Sequence, residues 1–239
     1  MNPNHALLTA EAHLELRLRT DRAADLGDAV MTAIAMPREF RDVQRHYPIL
    51  FRLDAARDVF TAYALFGFET GENLFLDGTR WDADYLPLAH DIQPFLIGGA
   101  DAQGNRQVHI DLASPRIASA AEGMRLFEPA GTPTPYLESV AGKLGELDAG
   151  FAESAEFFAA LRRHDLLEPL TLEVTLDDGS THRLVGFHVI DEDRLRALDA
   201  VALGELHGDG HLMPIFMALA SLGNIRDLVA RKNRRIGHG

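Results

Sequence analysis

The clearest alternation of apolar and polar side chains lies in two runs, Leu170–Leu176 and His182–Ile190, linked by Asp177-Asp178-Gly179-Ser180. A period of two places one face of each run inward, and the Asp-Gly link reads as the turn of a β-hairpin at about 170–190. A shorter alternation sets Leu14, Leu16 and Leu18 against Glu15, Arg17 and Arg19 and predicts a half-buried strand over 13–19. Further extended runs are expected at 30–35, 49–53, 59–68, 74–76, 94–97 and 108–112, with turn residues such as Gly, Asp, Asn, Ser or Pro near their ends. Helical signals are interleaved with these. Met36-Pro37-Arg38-Glu39-Phe40 reads as a helix start, because proline in a first turn has no needed N–H to lose. A helix is predicted over 82–92, and Thr132-Pro133-Thr134-Pro135 opens another over 136–147. Phe151, Ala155 and Phe158 keep helical spacing to Arg163, and Asp191 starts a short helix. Leu212, Ile215, Phe216, Leu219 and Leu222 give the last helix an apolar face, with Pro214 in its tolerated first turn.

This succession predicts an α+β protein: an N-terminal curled, mainly antiparallel sheet with short helices, followed by a helical layer containing one hairpin. A change of texture near Ala130 divides a β-rich half, 1–130, from a helical half, 131–239, unless the two share one core. The chain of 239 residues is long enough for either arrangement.

Charge narrows the classes of partner. The net charge of −13 excludes a general nucleic-acid binder, which needs a basic face for phosphates. The acid is uneven, since residues 226–239 carry five basic side chains and one acidic one. Those basic residues could touch an anionic partner, but they also suit a helix C-terminus, and the tail is expected to fray. With no cysteine, neither disulfides nor thiolate chemistry are available. The first twenty residues hold no apolar core of a signal peptide, and no run of 18 consecutive apolar residues occurs. A cytoplasmic protein with no membrane insertion is therefore expected.

Two constellations carry candidate chemistry. His109-Ile110-Asp111 on a strand puts His109 and Asp111 on one face. With a distant His164, His182 or His188 this would make the two-histidine, one-carboxylate set of a non-haem iron oxygenase, with Arg183 or Arg194 for an oxoacid cosubstrate. The plainer reading of the pair is a polar strand face running into the Ser114-Pro115 turn. The sequence from Glu205 to His211 spaces two histidines by four, but Gly208 and Gly210 speak against the continuous helix that zinc binding would need. No G-x-S-x-G elbow and no G-x-x-x-x-G-K phosphate loop occur. The second constellation is a binding surface. Trp81, Tyr85 and Phe95 lie close in sequence to Pro87 and Pro94. Turns at Glu72-Asn73 and Ser114-Pro115-Arg116 would wall a cleft over these rings and supply its polar rim. The alternative is that Trp81 and Phe95 are ordinary core residues.

The segments Tyr47-Pro48-Ile49-Leu50-Phe51, ALFGFETGENLFLD at 64–77, and Trp81-Asp82-Ala83-Asp84-Tyr85-Leu86-Pro87 resemble the SapC-like family of bacterial proteins. So do Gln93 to Gly98, Ile110-Asp111, Ser114-Pro115-Arg116, Pro133 to Leu137, Asp165 to Leu170 and Ala220-Ser221-Leu222. The resemblance implies an accessory role in peptide or protein modification or uptake, or, from the family's name, in surface-layer assembly. It assigns no catalytic residue. The sequence is accordingly read as a non-catalytic binding or accessory protein. It would take a protein or peptide partner and no cofactor, and an oligomer is compatible with it. Its ligand residues would be Glu72, Asn73, Trp81, Tyr85, Phe95, Ser114 and Arg116. The iron oxygenase built on His109 and Asp111 and the surface-layer assembly factor stay open as alternatives.

Overall fold

The alternating runs pair into antiparallel sheets in a computed structural model that describes residues 4–100, 103–104, 106–118 and 122–237. The architecture is α+β, with antiparallel sheets and short helices giving way to a helical C-terminal region. The chain forms two compact units and passes between them after Ala29, Phe75, Asp82, Pro87 and Ala149.

The first unit takes residues 1–29, 76–82 and 88–149. Its larger sheet runs in the order His5–Leu7, Arg106–Asp111, Phe95–Ala100. Phe95 faces Ile110 in register, and both are fully buried. A second small sheet places Arg17–Leu18 between Ile117–Ala118 and Met124–Arg125. The expected strand over 13–19 is shorter than its alternation suggests. Thr9 accepts the Ala12 N–H at 3.3 Å and caps a helical turn, Ala10–His13, which takes the first part of that run. The helix expected over 82–92 shrinks likewise, to Leu88–Asp91. Proline disfavours helical backbone in the residue before it, so the helix begins only after Pro87. The first part of the long helix Pro135–Arg163 completes this unit, burying Leu137, Val140, Leu144 and Leu147 at a spacing of three to four.

The second unit takes residues 30–75, 83–87 and 150–239. Its five strands lie in the order Leu167–Thr175, Thr181–Ile190, Ile49–Asp54, Val59–Leu65, Thr32–Ile34, all neighbours antiparallel. The predicted hairpin is present, and its second strand pairs with Ile49–Asp54 through Phe187 opposite Arg52 and His188 opposite Phe51. Phe157 and Phe158 of the long helix pack against Phe51, and Phe157 also meets Phe40 edge-on at 5.9 Å. Gly150 lets the helix continue past Met36, where a Cβ would come within 2.8 Å of the methionine Cγ. A single helix therefore spans both apolar runs predicted at 136–147 and 151–163.

Two helices, Leu212–Ser221 and Asn224–Gly237, close the chain. The Ser221 hydroxyl accepts the Ile49 N–H at 2.9 Å and donates to the Ala218 carbonyl at 2.6 Å. This anchor turns Ile215, Ala218 and Ser221 inward, so Phe216, expected on the apolar face, is 52% exposed. By length and composition alone, Leu212–Gly237 is apolar enough to cross a membrane. Its helix is interrupted at 222–223, and Ile215, Met217, Ala218, Ser221 and Leu228 are buried within the fold. Nor is the basic tail frayed over its described part. The Arg231 guanidinium lies 4.3 Å from the centre of the Phe75 ring, and Lys232 reaches Glu72 at 2.5 Å.

Candidate functional site

Charged residues are rarely fully buried unless paired, and the first unit buries a carboxylate and a guanidinium together. Asp28 has no exposed surface and Arg116 almost none. Asp28 follows Gly27, whose φ of 92° closes the short helical turn Ala24–Leu26 and returns the chain inward. Its carboxylate accepts the Ala23 N–H at 2.8 Å, His90 Nε2 at 2.8 Å and Arg116 Nη2 at 2.6 Å. Burial alone would raise the Asp28 carboxyl. The hydrogen bonds from His90 and Ala23, with the charge of Arg116, overcome that and hold it at about 2. Arg116 is fixed from its other side, donating to the carbonyls of Arg19 at 3.3 Å and Asp21 at 2.8 Å. The Ser114 hydroxyl accepts the Arg116 N–H and shapes the turn that delivers it.

A second carboxylate extends the network outward. Asp91, next to His90, accepts Arg22 Nη2 and Lys143 Nζ, both at 2.5 Å. Arg22 also reaches back to Asp28 at 3.5 Å. Between these groups lies a cavity of about 200 Å³, lined by Arg19, Arg22, Asp91, Arg116, Tyr136 and Lys143 among others. Burial, and then the charge of Asp91, raises the Tyr136 hydroxyl pKa, so the phenol stays a neutral donor. An open groove of about 800 Å³ shares Arg19, Thr20 and Tyr136 with the cavity and continues past Met124, Arg125 and Pro135. The arrangement suits recognition of a negatively charged group, with three cationic side chains held in fixed positions by carboxylates and carbonyls.

The seven residues expected to bind a ligand fall in different places. Arg116 lines the cavity and Ser114 shapes its turn. Trp81 is half-buried and tilted over His90, ring centres 5.3 Å apart. Phe95 is fully enclosed, with its ring 6.4 Å from that of Tyr136. Glu72, Asn73 and Tyr85 belong to the second unit. There Glu72 accepts the Phe68 N–H at 2.8 Å, and Asn73 accepts that of Phe75 at 3.0 Å. Tyr85 donates to buried Glu39 at 2.7 Å, while its carbonyl accepts the Tyr47 hydroxyl at 2.5 Å. These three hold turns together.

His109 and Asp111 do lie on one strand, but Asp111 is engaged by backbone. It accepts the N–H groups of Asn4 and Ala113, each at 3.0 Å, which lowers its pKa. His109 packs over Gly98, where a Cβ would meet the ring at 2.2 Å. Among the described residues no three His, Asp or Glu side chains converge as a metal site. Arg22, Asp28, His90, Asp91 and Lys143 are not among the residues that the sequence marks. They come from segments with no shared period, and the one local signal was a charged Asp28 between Gly27 and the apolar run from Ala29.

No curated protein and no solved structure matches the chain. A family model described as SapC matches residues 8–228, a span that takes in every cavity-lining side chain and nearly all of both units. The chain belongs to the SapC family.

Proposed function

We propose that this SapC family member is a non-catalytic binding component, and that its ligand enters the cavity and groove of the first unit by an anionic group. One observation carries the reading. In a chain of net charge −13, Arg19, Arg22, Arg116 and Lys143 line a single small cavity in which, among the described residues, Asp91 is the one acidic lining residue. A site of that sign in an acidic protein favours anions locally. His90, the one imidazole of the network, is 7% exposed and bonded to Asp28, an arrangement that orients Asp28 more readily than it serves a substrate. A cytoplasmic accessory role beside a modifying or uptake system, with a protein or peptide as partner, fits a binder without chemistry of its own.

Thermal unfolding in sodium acetate, phosphate and sulfate, each against chloride at equal ionic strength, tests the reading. At least one of the three is expected to raise the midpoint in proportion to the logarithm of its concentration. Identical midpoints in all four salts would reject an anion site.

A further inference from the structure

Resting on the anion site just proposed, the balance of charge inside it identifies the class of anion. Three cations, Arg22, Arg116 and Lys143, meet two carboxylates, Asp28 and Asp91, within bonding distance. Arg19 stands apart, 3.6 Å from exposed Asp25, and contributes to the rim. The bonded network therefore holds one positive charge more than its own carboxylates offset. A buried or partly buried charge without a counter-ion is costly, and a site of this kind is completed by one negative charge. A dianion such as a phosphate monoester would invert the excess beside Asp91. A neutral ligand would leave it in place.

The donors agree with the count. Arg116 spends its outward bonds on Asp28 and on the carbonyls of Arg19 and Asp21, and Arg22 spends its own on Asp28 and Asp91. Lys143 gives one of its three N–H groups to Asp91 and is 39% exposed. Tyr136 and Ser139, which both carry hydroxyls, line the same cavity. An ammonium with two further donors can give one hydrogen bond to each oxygen of a carboxylate. The volume of about 200 Å³ is below the range of sites that enclose a whole drug-sized ligand, so the cavity suits a head group. The adjoining groove, sharing Arg19, Thr20 and Tyr136, balances Arg17, Arg19 and Arg125 against Asp21, Glu122 and Glu128. It makes no demand on the charge of a ligand body, and Met124 and Pro135 give it apolar surface.

We infer that the cavity receives a single carboxylate, its two oxygens facing Lys143 and its attached chain lying in the groove. That carboxylate belongs either to the C-terminus of a peptide or to a small free acid. Calorimetric titration of the full chain separates these sources with four probes: sodium acetate, N-acetyl-Ala-Ala, the C-terminal amide of that dipeptide, and sodium phosphate. The free-acid dipeptide is expected to bind at least tenfold more tightly than its amide and than phosphate. Acetate binding as tightly as the dipeptide would support the carboxylate and name the small acid as its source, whereas weaker acetate names the peptide end. Lys143→Gln cancels the excess charge and is expected to weaken the free acid at least tenfold, while Lys143→Arg keeps it within about threefold of the native chain. The same affinity for acid and amide, or full affinity in Lys143→Gln, overturns the inference. Phosphate binding more tightly than either acid also overturns it while leaving an anion site in place. Silence from all four probes overturns both.

Discussion

A carboxylate with no exposed surface depends on its neighbours, and Asp28 has both ends of its own occupied. Removing it takes the counter-charge from the Arg116 guanidinium, 4% exposed, and a hydrogen-bond partner from His90. Breaking one partner out of a buried pair costs on the order of 3–5 kcal/mol. Asp28→Ala is therefore expected to lower the urea unfolding free energy by an amount in that range at neutral pH. The acid limb of the native stability curve should change as well. The carboxyl sits at about 2 in the folded chain, below its ordinary 3.8. A depressed carboxyl stabilises the fold above its unfolded pKa and loses that contribution as pH falls through the folded one. Roughly 2 kcal/mol should therefore disappear between about pH 4 and 2. Urea midpoints across that window should steepen for the native chain relative to Asp28→Ala. Parallel curves would show that the carboxylate does not carry the network.

At the scale of elements, the segment 64–77 that carries the resemblance is built as a clamp. A Cβ on Gly67 would lie 2.8 Å from both the Glu72 side chain and its carbonyl, so only glycine lets the loop fold back on itself. Glu72 then accepts the Phe68 N–H with one oxygen and Lys232 with the other. Gly67→Ala should cost about 1–3 kcal/mol by forcing that contact apart. Because Lys232 acts through the same carboxylate, Gly67→Ala and Lys232→Ala should be non-additive by about 0.5–3 kcal/mol in a double-mutant cycle. Additive losses would mean that the loop and the helix are held independently.

How legible each element was in the sequence follows from how local its cause is. The strands at 49–54 and 59–65 and the hairpin were readable because alternation and turn residues sit within a few positions of one another. The turn of helix at Ala10–His13 was hidden because a single Thr9 cap outweighed three leucines in alternation. The Ser114-Pro115 turn marked Arg116 as a polar rim group, whereas its guanidinium is buried against Asp28. Asp28, His90, Asp91 and Lys143 were not readable, since an ion network gathers residues from distant segments and leaves no period behind.

For the whole molecule, the C-terminal helix counts as structure as well as charge. Arg231 lies over Phe75, Lys232 pairs with Glu72, and Asn233 accepts the Asp177 N–H at 3.1 Å. Each contact contributes on the order of 1 kcal/mol, and for a chain of this size 1 kcal/mol moves the melting midpoint by about 2–4 °C. Deleting residues 231–239 is expected to lower the midpoint by roughly 5–10 °C in differential scanning calorimetry. An unchanged midpoint would mark these contacts as incidental.

The order in which the two units gather their segments sets a timetable for synthesis on the ribosome. The last stretch of the first unit ends at Ala149, so all of its strands, Asp28 and Lys143 have been made by then. The second unit begins at Val30 yet cannot close until Ser221 reaches Ile49 and Lys232 reaches Glu72. Its three earliest strands, Thr32–Ile34, Ile49–Asp54 and Val59–Leu65, must wait for a hairpin made more than a hundred residues later. Until that hairpin arrives, Ile49–Asp54 presents an unpaired edge. The nascent chain thus holds every segment of the first unit well before the second can close, with an open strand edge of the kind that chaperones cover.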